Sequence, residues 1–450
     1  MTKTVELIIP NAAEYFLRDP DLNLTGDERA RVVRFSGTYE CEHSVFWTSA
    51  PRVLLLPAGV DEQWFADVHN ALGVEAPPYI SPAVTTGLLV EDLLADGAAQ
   101  RALRARLEGN DLVKMQMVGP TPETYQLAAI IRGWGLDVEL DSVDTSDYWA
   151  SLYLDSKVSV LDLARELPDI HVAPGVVVSN WVELRGALTR LLTRYDRVIA
   201  RTAYGVAGDG SGVVSAGTVE SFLDNAARDS FFAFPILVQQ FVEHAPGVGC
   251  PAVDILVGED GVEDVVLCAL TVENGYQFRS VDVGDGALPQ NWGAEVTKVA
   301  HGVGSAAHAL GYRGWMCADC VAGADGTLYV TEINARRSGS LHAGGLLRLW
   351  NAERDLTLSA HFMMTVPPGL SYQEHIRPVF QRLWDQGVRA YPTSVRGIHW
   401  DEPMIAVIAA APTADEAQAI VAGIAEEIAA TAATPAVSAA EAAGCPMAAA

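Results

Sequence analysis

The chain has 450 residues, with 30 Lys and Arg against 57 Asp and Glu, a formal charge of −27. Such a balance excludes a nucleic-acid binder and a protein that lies on anionic lipid, since both depend on clustered cations. Half of the residues are hydrophobic and 19% are charged, so a large core is available and a wholly disordered chain is excluded.

At roughly 150 residues per unit, the length predicts about three units. The N-terminal MTKTVELIIPNAAEYF lacks the apolar run of a secretory signal. No apolar stretch reaches the roughly 18 residues that cross a bilayer, so the cytoplasm is the expected compartment. Residues 1–150 alternate short apolar runs with helical patterns, which is α/β patterning. RVLLLPAG (52–59), TTGLLVEDLL (85–94) and LVKMQMVG (112–119) are predicted strands or strand starts. VGPTPETYQLAAIIRGWG (118–135) predicts a helix capped at Thr121. Between Gly133 and Ser156 no Lys or Arg occurs, while Asp137, Glu139, Asp141, Asp144 and Asp147 crowd in. The first unit is expected to hand over there.

Two helices are predicted next, SVLDLAREL and WVELRGALTRLLTRY, followed by a strand, a glycine loop and another strand. From 236 to 340 the pattern turns strand-rich, with a long helix near 292–311. A helix–strands–helix unit is expected over 371–430, ending in ADEAQAIVAGIAEEIAA. Residues 431–450 are Ala-rich low complexity and are assigned no structure.

The glycine loop follows Arg197–Arg201 and contains Gly205, Gly208, Gly210, Ser211 and Gly212. Closely spaced glycines let backbone N–H groups converge on an anion such as a triphosphate. No Lys follows as a Walker loop requires, and Val213-Val214 continue as a strand rather than a helix. The loop by itself fits a surface hairpin and a nucleotide flap equally well.

A sharper signal lies at 315–336. Asp325-Gly326 between two β-like segments predicts a two-residue hairpin loop. Pairing outward from Ala324 and Thr327 sets Asp319 opposite Glu332, and the period of two puts Asn334 and Arg336 on the same face. Two carboxylates and an amide oxygen suit Mg²⁺, which takes few protein ligands plus substrate phosphates. The same strand geometry sends Cys317 and Cys320 to opposite faces, against a redox or zinc role for this C-x-x-C pair. The other cysteines, 41, 250, 268 and 445, form no disulfide framework.

Taken together, these residues resemble the ATP-grasp superfamily. The resemblance covers roughly 150–345 and implies an α/β fold with a pre-ATP-grasp unit (1–150), an ATP-grasp unit (151–370) and a small α/β extension (371–430). Lys157, one of only four lysines, and Arg201, where the family usually has Lys, match its phosphate-binding cations. Val238-Gln239-Gln240-Phe241-Val242-Glu243 is similar to the adenine segment, with Gln240 and Val242 meeting the base and Glu243 or His244 the ribose. Asp319, Glu332 and Asn334 match the metal ligands, and Arg336 matches the E-x-N-x-R arginine. Arg279 is a second cation assigned to the acylphosphate.

The wider chain is similar to the pheganomycin-type peptide ligases, through GPTPETYQLAAIIRGWG, TEINARRSGSLHAGGL and the 374–430 stretch. That resemblance implies ATP with Mg²⁺ or Mn²⁺, and an acylphosphate formed from a nonproteinogenic amino-acid carboxylate. The acceptor would be a peptide amine, and a homodimer is compatible. Its alternatives are an amino-acid, dipeptide or other carboxylate–amine ligase, or a silent nucleotide-binding regulator.

Overall fold

In the computed structural model, which describes residues 2–18, 24–205, 208–350 and 356–433, three sheets organise the chain. The first is parallel and N-terminal: β1 (Thr4–Ile9), β2 (Arg52–Leu55), β3 (Tyr79–Ile80), β4 (Leu112–Met117) and β5 (Asp137–Leu140), ordered β3-β2-β1-β4-β5. Helices cover its faces, which is why Leu7, Ile8, Ile9, Val53 and Leu54 are all buried. The helix Pro122–Gly133 begins at the expected cap, where Thr121 accepts from the Thr124 amide. The run 85–94 differs from expectation: it leads into a helix, Leu89–Ala95. Leu89, Val90 and Leu93 lie on one face of a 3.6-residue period and are buried.

The second sheet is antiparallel, with β6 (Gly175–Val178), β7 (Arg197–Thr202), β8 (Ser211–Ser215) and β9 (Ile236–Gln240) ordered β6-β9-β7-β8. The third is also antiparallel and has eight strands. They are β10 (Cys250–Gly258), β11 (Gly261–Glu273), β12 (Gln277–Val283), β13 (Gly314–Ala322), β14 (Leu328–Asn334), β15 (Thr357–Thr365), β16 (Ala390–Ser394) and β17 (Met404–Ala411). Their order is β14-β13-β10-β11-β12-β15-β17-β16. The long helix Gln290–Ala309 packs against it through Val296, Ala300, Val303 and Ala307.

Residues 371–430 do not form a sheet of their own: β17 pairs with β15, and β16 completes the eight-stranded sheet. The helix Ala414–Ala433 covers these strands with Ala417, Val421, Ile424 and Ile428. From residue 434 onward the low-complexity stretch lies outside the described residues, as does Cys445. The N-terminal unit is tied to the same region by specific bonds. Trp64 Nε1 donates to the Pro392 carbonyl at 2.7 Å, and Glu42 accepts from Ser394 Oγ at 2.8 Å and from the Val395 amide at 3.0 Å. Among the described residues, no helix is long and apolar enough to cross a membrane.

Candidate active site

The hairpin β13–β14 reaches the expected pairing by a different route. Its loop is longer than two residues: the Gly326 amide donates to the Gly323 carbonyl, and Gly326 takes φ +84°, so Gly323 pairs with Thr327. This turn shifts the register by one residue, and Cys320 pairs with Val330. A β-bulge at Thr331 then restores the count, and Asp319 sits opposite Glu332 with Cys317 opposite Asn334. Thr331 Oγ1 closes the bulge by donating to the Asp319 carbonyl at 3.0 Å.

Asn334 Nδ2 lies 2.9 Å from Asp319 Oδ2 and 3.3 Å from Glu332 Oε1, and Arg336 donates to Asn334 Oδ1 at 3.0 Å. Two carboxylates and an amide thus converge, with the Asn334 nitrogen facing the carboxylates and its oxygen facing Arg336. Rotation of this amide about its last side-chain bond gives the all-oxygen set that suits a hard divalent cation. Among the described residues, no cluster of three or more His, Cys, Asp or Glu could hold a metal unaided. A cation held here would need further oxygen ligands from elsewhere, as phosphates provide.

Lys157 and Arg201 meet the same carboxylate from the other side. Lys157 Nζ is 3.2 Å and Arg201 3.7 Å from Glu332 Oε2, with the two cationic side chains only 8% and 9% exposed. Burial by itself would raise the Glu332 pKa, but Lys157 and then Arg201 outweigh it and hold the carboxylate well below its usual range. Asp319 goes the other way: burial, then the neighbouring Glu332 charge, pushes it up. Arg201 is oriented by Gln239 Oε1 at 2.7 Å and the Thr331 carbonyl at 2.8 Å. Gln239 is buried, and its amide nitrogen donates to the Ala173 carbonyl.

A cavity of about 330 Å³ lies against these groups, between the second and third sheets and the N-terminal unit. Lys157, Arg201, Gly208, Ser211, Gln239, Gln240, Val242 and His244 line it, as do Asp319, Glu332, Asn334 and Arg336. Gly210 and Gly212 do not. A Cβ on Gly210 would meet the Phe231 carbonyl at 2.5 Å, and one on Gly212 the Phe222 ring at 2.6 Å, so both serve the packing of the β7–β8 hairpin. Glu243 is outside the cavity lining and is paired with Arg197, whose guanidinium stacks on Phe241. Arg279 is exposed and paired with Glu273 at 2.6 Å, outside the cavity lining. Cys317 and Cys320 are free, buried and packed in different cores, as alternation along a strand requires.

Further residues in and around the lining were assigned no individual role by the sequence. Arg337, one position beyond Arg336, is buried, pairs with Asp141 and stacks over Trp47. Ser338 and Ser340 donate to Asp254, buried in the middle of β10, which fixes the loop after the hairpin. Arg18 pairs with Asp155, whose other oxygen accepts from the Ala335 amide at 2.9 Å. The acidic stretch 133–156 therefore supplies two anchors for the loop after the hairpin. His43 and His342 stack at 4.9 Å, both flanked by Phe362.

No family model matches the chain, and no curated protein matches it in sequence. Solved structures do match it in shape. The β-γ-ATP complex of biotin carboxylase from Campylobacter jejuni is 13% identical, with 95% of this chain and 91% of that one covered at a TM-score of 0.54. The biotin carboxylase domain of Hydrogenobacter thermophilus 2-oxoglutarate carboxylase, solved as a dimer with MgADP, ADP and bicarbonate, is 13% identical, covering 94% and 90% at 0.52. An L-amino acid ligase from Bacillus licheniformis is 14% identical, covering 94% and 97%, also at 0.52. Likeness at such identities carries the fold, and the fold of this chain is ATP-grasp.

Proposed function

We propose that the protein is an ATP-dependent carboxylate–amine ligase that joins an amino-acid carboxylate to the amine of a peptide through an acylphosphate, as in peptide natural-product assembly. The observation that carries this reading is the Glu332 carboxylate, which faces Asp319 and Asn334 on one side and Lys157 and Arg201 on the other, against a cavity. Phosphoryl transfer depends on positioning and charge neutralisation, and these groups supply both.

In the proposed reaction, an oxygen of the acid attacks the γ-phosphorus of ATP, the bond to the β,γ-bridging oxygen breaks, and ADP leaves with that electron pair. The amine then attacks the acyl carbon, the acyl C–O bond to the phosphoryl group breaks, phosphate departs and the amine proton passes to solvent. Lys157 and Arg201 neutralise phosphate oxygens, and Arg336 holds the acylphosphate. Gly208 and Ser211 bring the β7–β8 hairpin over the nucleotide and exclude water that would hydrolyse the intermediate. Gln240 and Val242 offer backbone groups to the base, with His244 beside them. Asp319, Glu332 and Asn334 would hold Mg²⁺ or Mn²⁺, which supplies charge neutralisation on the phosphates when bound.

The test is a screen of ADP release over L-amino acids, nonproteinogenic amino acids and peptide amines, with product masses measured. ADP formation that requires an acid and an amine, with a product lighter than their sum by one water, supports the reading. ADP formed at the same rate without either co-substrate overturns it.

A further inference from the structure

The cavity that Arg336 lines is also lined by Phe35, Glu40, His43 and Trp47, all from one irregular helical segment. Phe35–Tyr39 forms a π turn and Glu40–Phe46 a 3-10 helix. The change of pitch turns four residues of uneven spacing toward one space, and such wide turns recur at functional sites. Glu40 uses one contact, with Ser36, while its Oε2 is buried without any hydrogen-bond partner. Nearby, His43 Nε2 is also buried and unpartnered.

A buried carboxylate oxygen with no donor is costly, and a native site that keeps one leaves a place for a ligand donor. Burial pushes the Glu40 pKa up, opposed by the charge of Arg336. Arg336 itself is turned toward Asn334 and stacks over Phe16. An anion-accepting guanidinium and a donor-seeking carboxyl therefore face one chamber, whose remaining walls include Phe278 and Phe362. An α-amino acid carries the complementary pair of charges on adjacent carbons and an apolar side chain for the aromatic walls.

We propose that Glu40 is a specificity-determining residue that receives the ammonium group of the acid substrate while Arg336 takes its carboxylate, so that α-amino acids with a free amine are selected over desamino and N-acylated acids. The consequence for turnover rests on the ligase reading; binding does not. Calorimetry on the full chain with MgADP tests it, using the twenty common L-amino acids, their desamino acids and their N-acetyl derivatives. At least one amino acid is expected to bind roughly tenfold or more tighter than its desamino partner, as for a charged hydrogen bond. Glu40→Gln, checked for folding by circular dichroism, is expected to erase that difference while MgADP affinity stays unchanged. Equal affinity for amino and desamino acids, no binding of any amino acid, or a preference that persists in Glu40→Gln overturns it. ADP release is assayed alongside. Glu40-dependent binding without acid-dependent ADP release would overturn the ligase reading alone, and ADP release with desamino acids at equal efficiency would overturn this proposal alone.

Discussion

Lys157 Nζ stands 3.2 Å from Glu332 Oε2, joining the loop before the helix Ser159–Glu166 to the inner end of β14. Arg201 reaches the same oxygen from β7, so three elements meet on one carboxylate. A single anion shared by two buried cations is a sensitive arrangement, because removing the anion leaves both cations facing one another without compensation.

The two hairpin carboxylates should therefore respond oppositely. Glu332→Gln is expected to destabilise the ligand-free protein by about 2–4 kcal/mol, as loss of one partner of a buried pair does. Asp319→Asn removes a carboxylate already disfavoured by burial and by Glu332, and is expected to stabilise the ligand-free protein by about 1 kcal/mol. Both are expected to lower ADP release by at least roughly a hundredfold, about 3 kcal/mol of barrier. Urea unfolding and steady-state ADP release measure the two effects. A stabilised Glu332→Gln would show that the cations do not depend on it.

Arg337 and Asp141 hold the hairpin end to the N-terminal unit, with Gln116 on β4 a second acceptor for Arg337 at 3.0 Å. Asp141→Asn is expected to cost about 3 kcal/mol in urea unfolding, because the guanidinium stays buried. A loss under about 0.5 kcal/mol, the range of ordinary surface changes, would contradict the anchoring role.

The hairpin was legible in the sequence because Asp-Gly marks a turn and strand alternation is rigid bookkeeping. The turn itself was misjudged by one residue, and the bulge at Thr331 cancelled the error. Lys157 and Arg201 were found only through resemblance, since their meeting at Glu332 is a tertiary event with no local pattern. Glu40 was invisible for another reason: a π turn followed by a 3-10 helix has no single period to detect. The pairing of β17 with β15 is likewise a long-range choice, so 371–430 read as an appendage although its strands complete the central sheet.

His342 is buried against His43, with Nδ1 on the Gly339 carbonyl at 2.6 Å, and burial drives its pKa down to about 4. A His with a depressed folded pKa binds fewer protons than the unfolded chain between about 4 and 6.5, so its contribution is present above 6.5 and lost as pH falls toward 4. Wild type is expected to lose about 2 kcal/mol relative to His342→Gln between pH 7.5 and pH 4.5. Parallel stability–pH curves for the two proteins would contradict a buried neutral imidazole.

Gly345 lets the helix Leu341–Leu349 lie on the segment that carries Glu40 and His43. A Cβ there would meet the Phe46 carbonyl at 2.1 Å and the Trp47 carbonyl at 2.8 Å. Gly345→Ala is expected to cost about 2 kcal/mol in urea unfolding, because backbone rather than a flexible side chain must move. An unchanged midpoint would show that the two segments separate freely.

The central claim, that an acid oxygen is phosphorylated, is tested most directly with an amino acid whose carboxylate carries ¹⁸O at both oxygens, incubated with ATP, Mg²⁺ and an amine acceptor. The account predicts one ¹⁸O atom in the inorganic phosphate for each amide formed, with ADP as the only nucleotide product. Phosphate free of label, or AMP and pyrophosphate in place of ADP and phosphate, would contradict it.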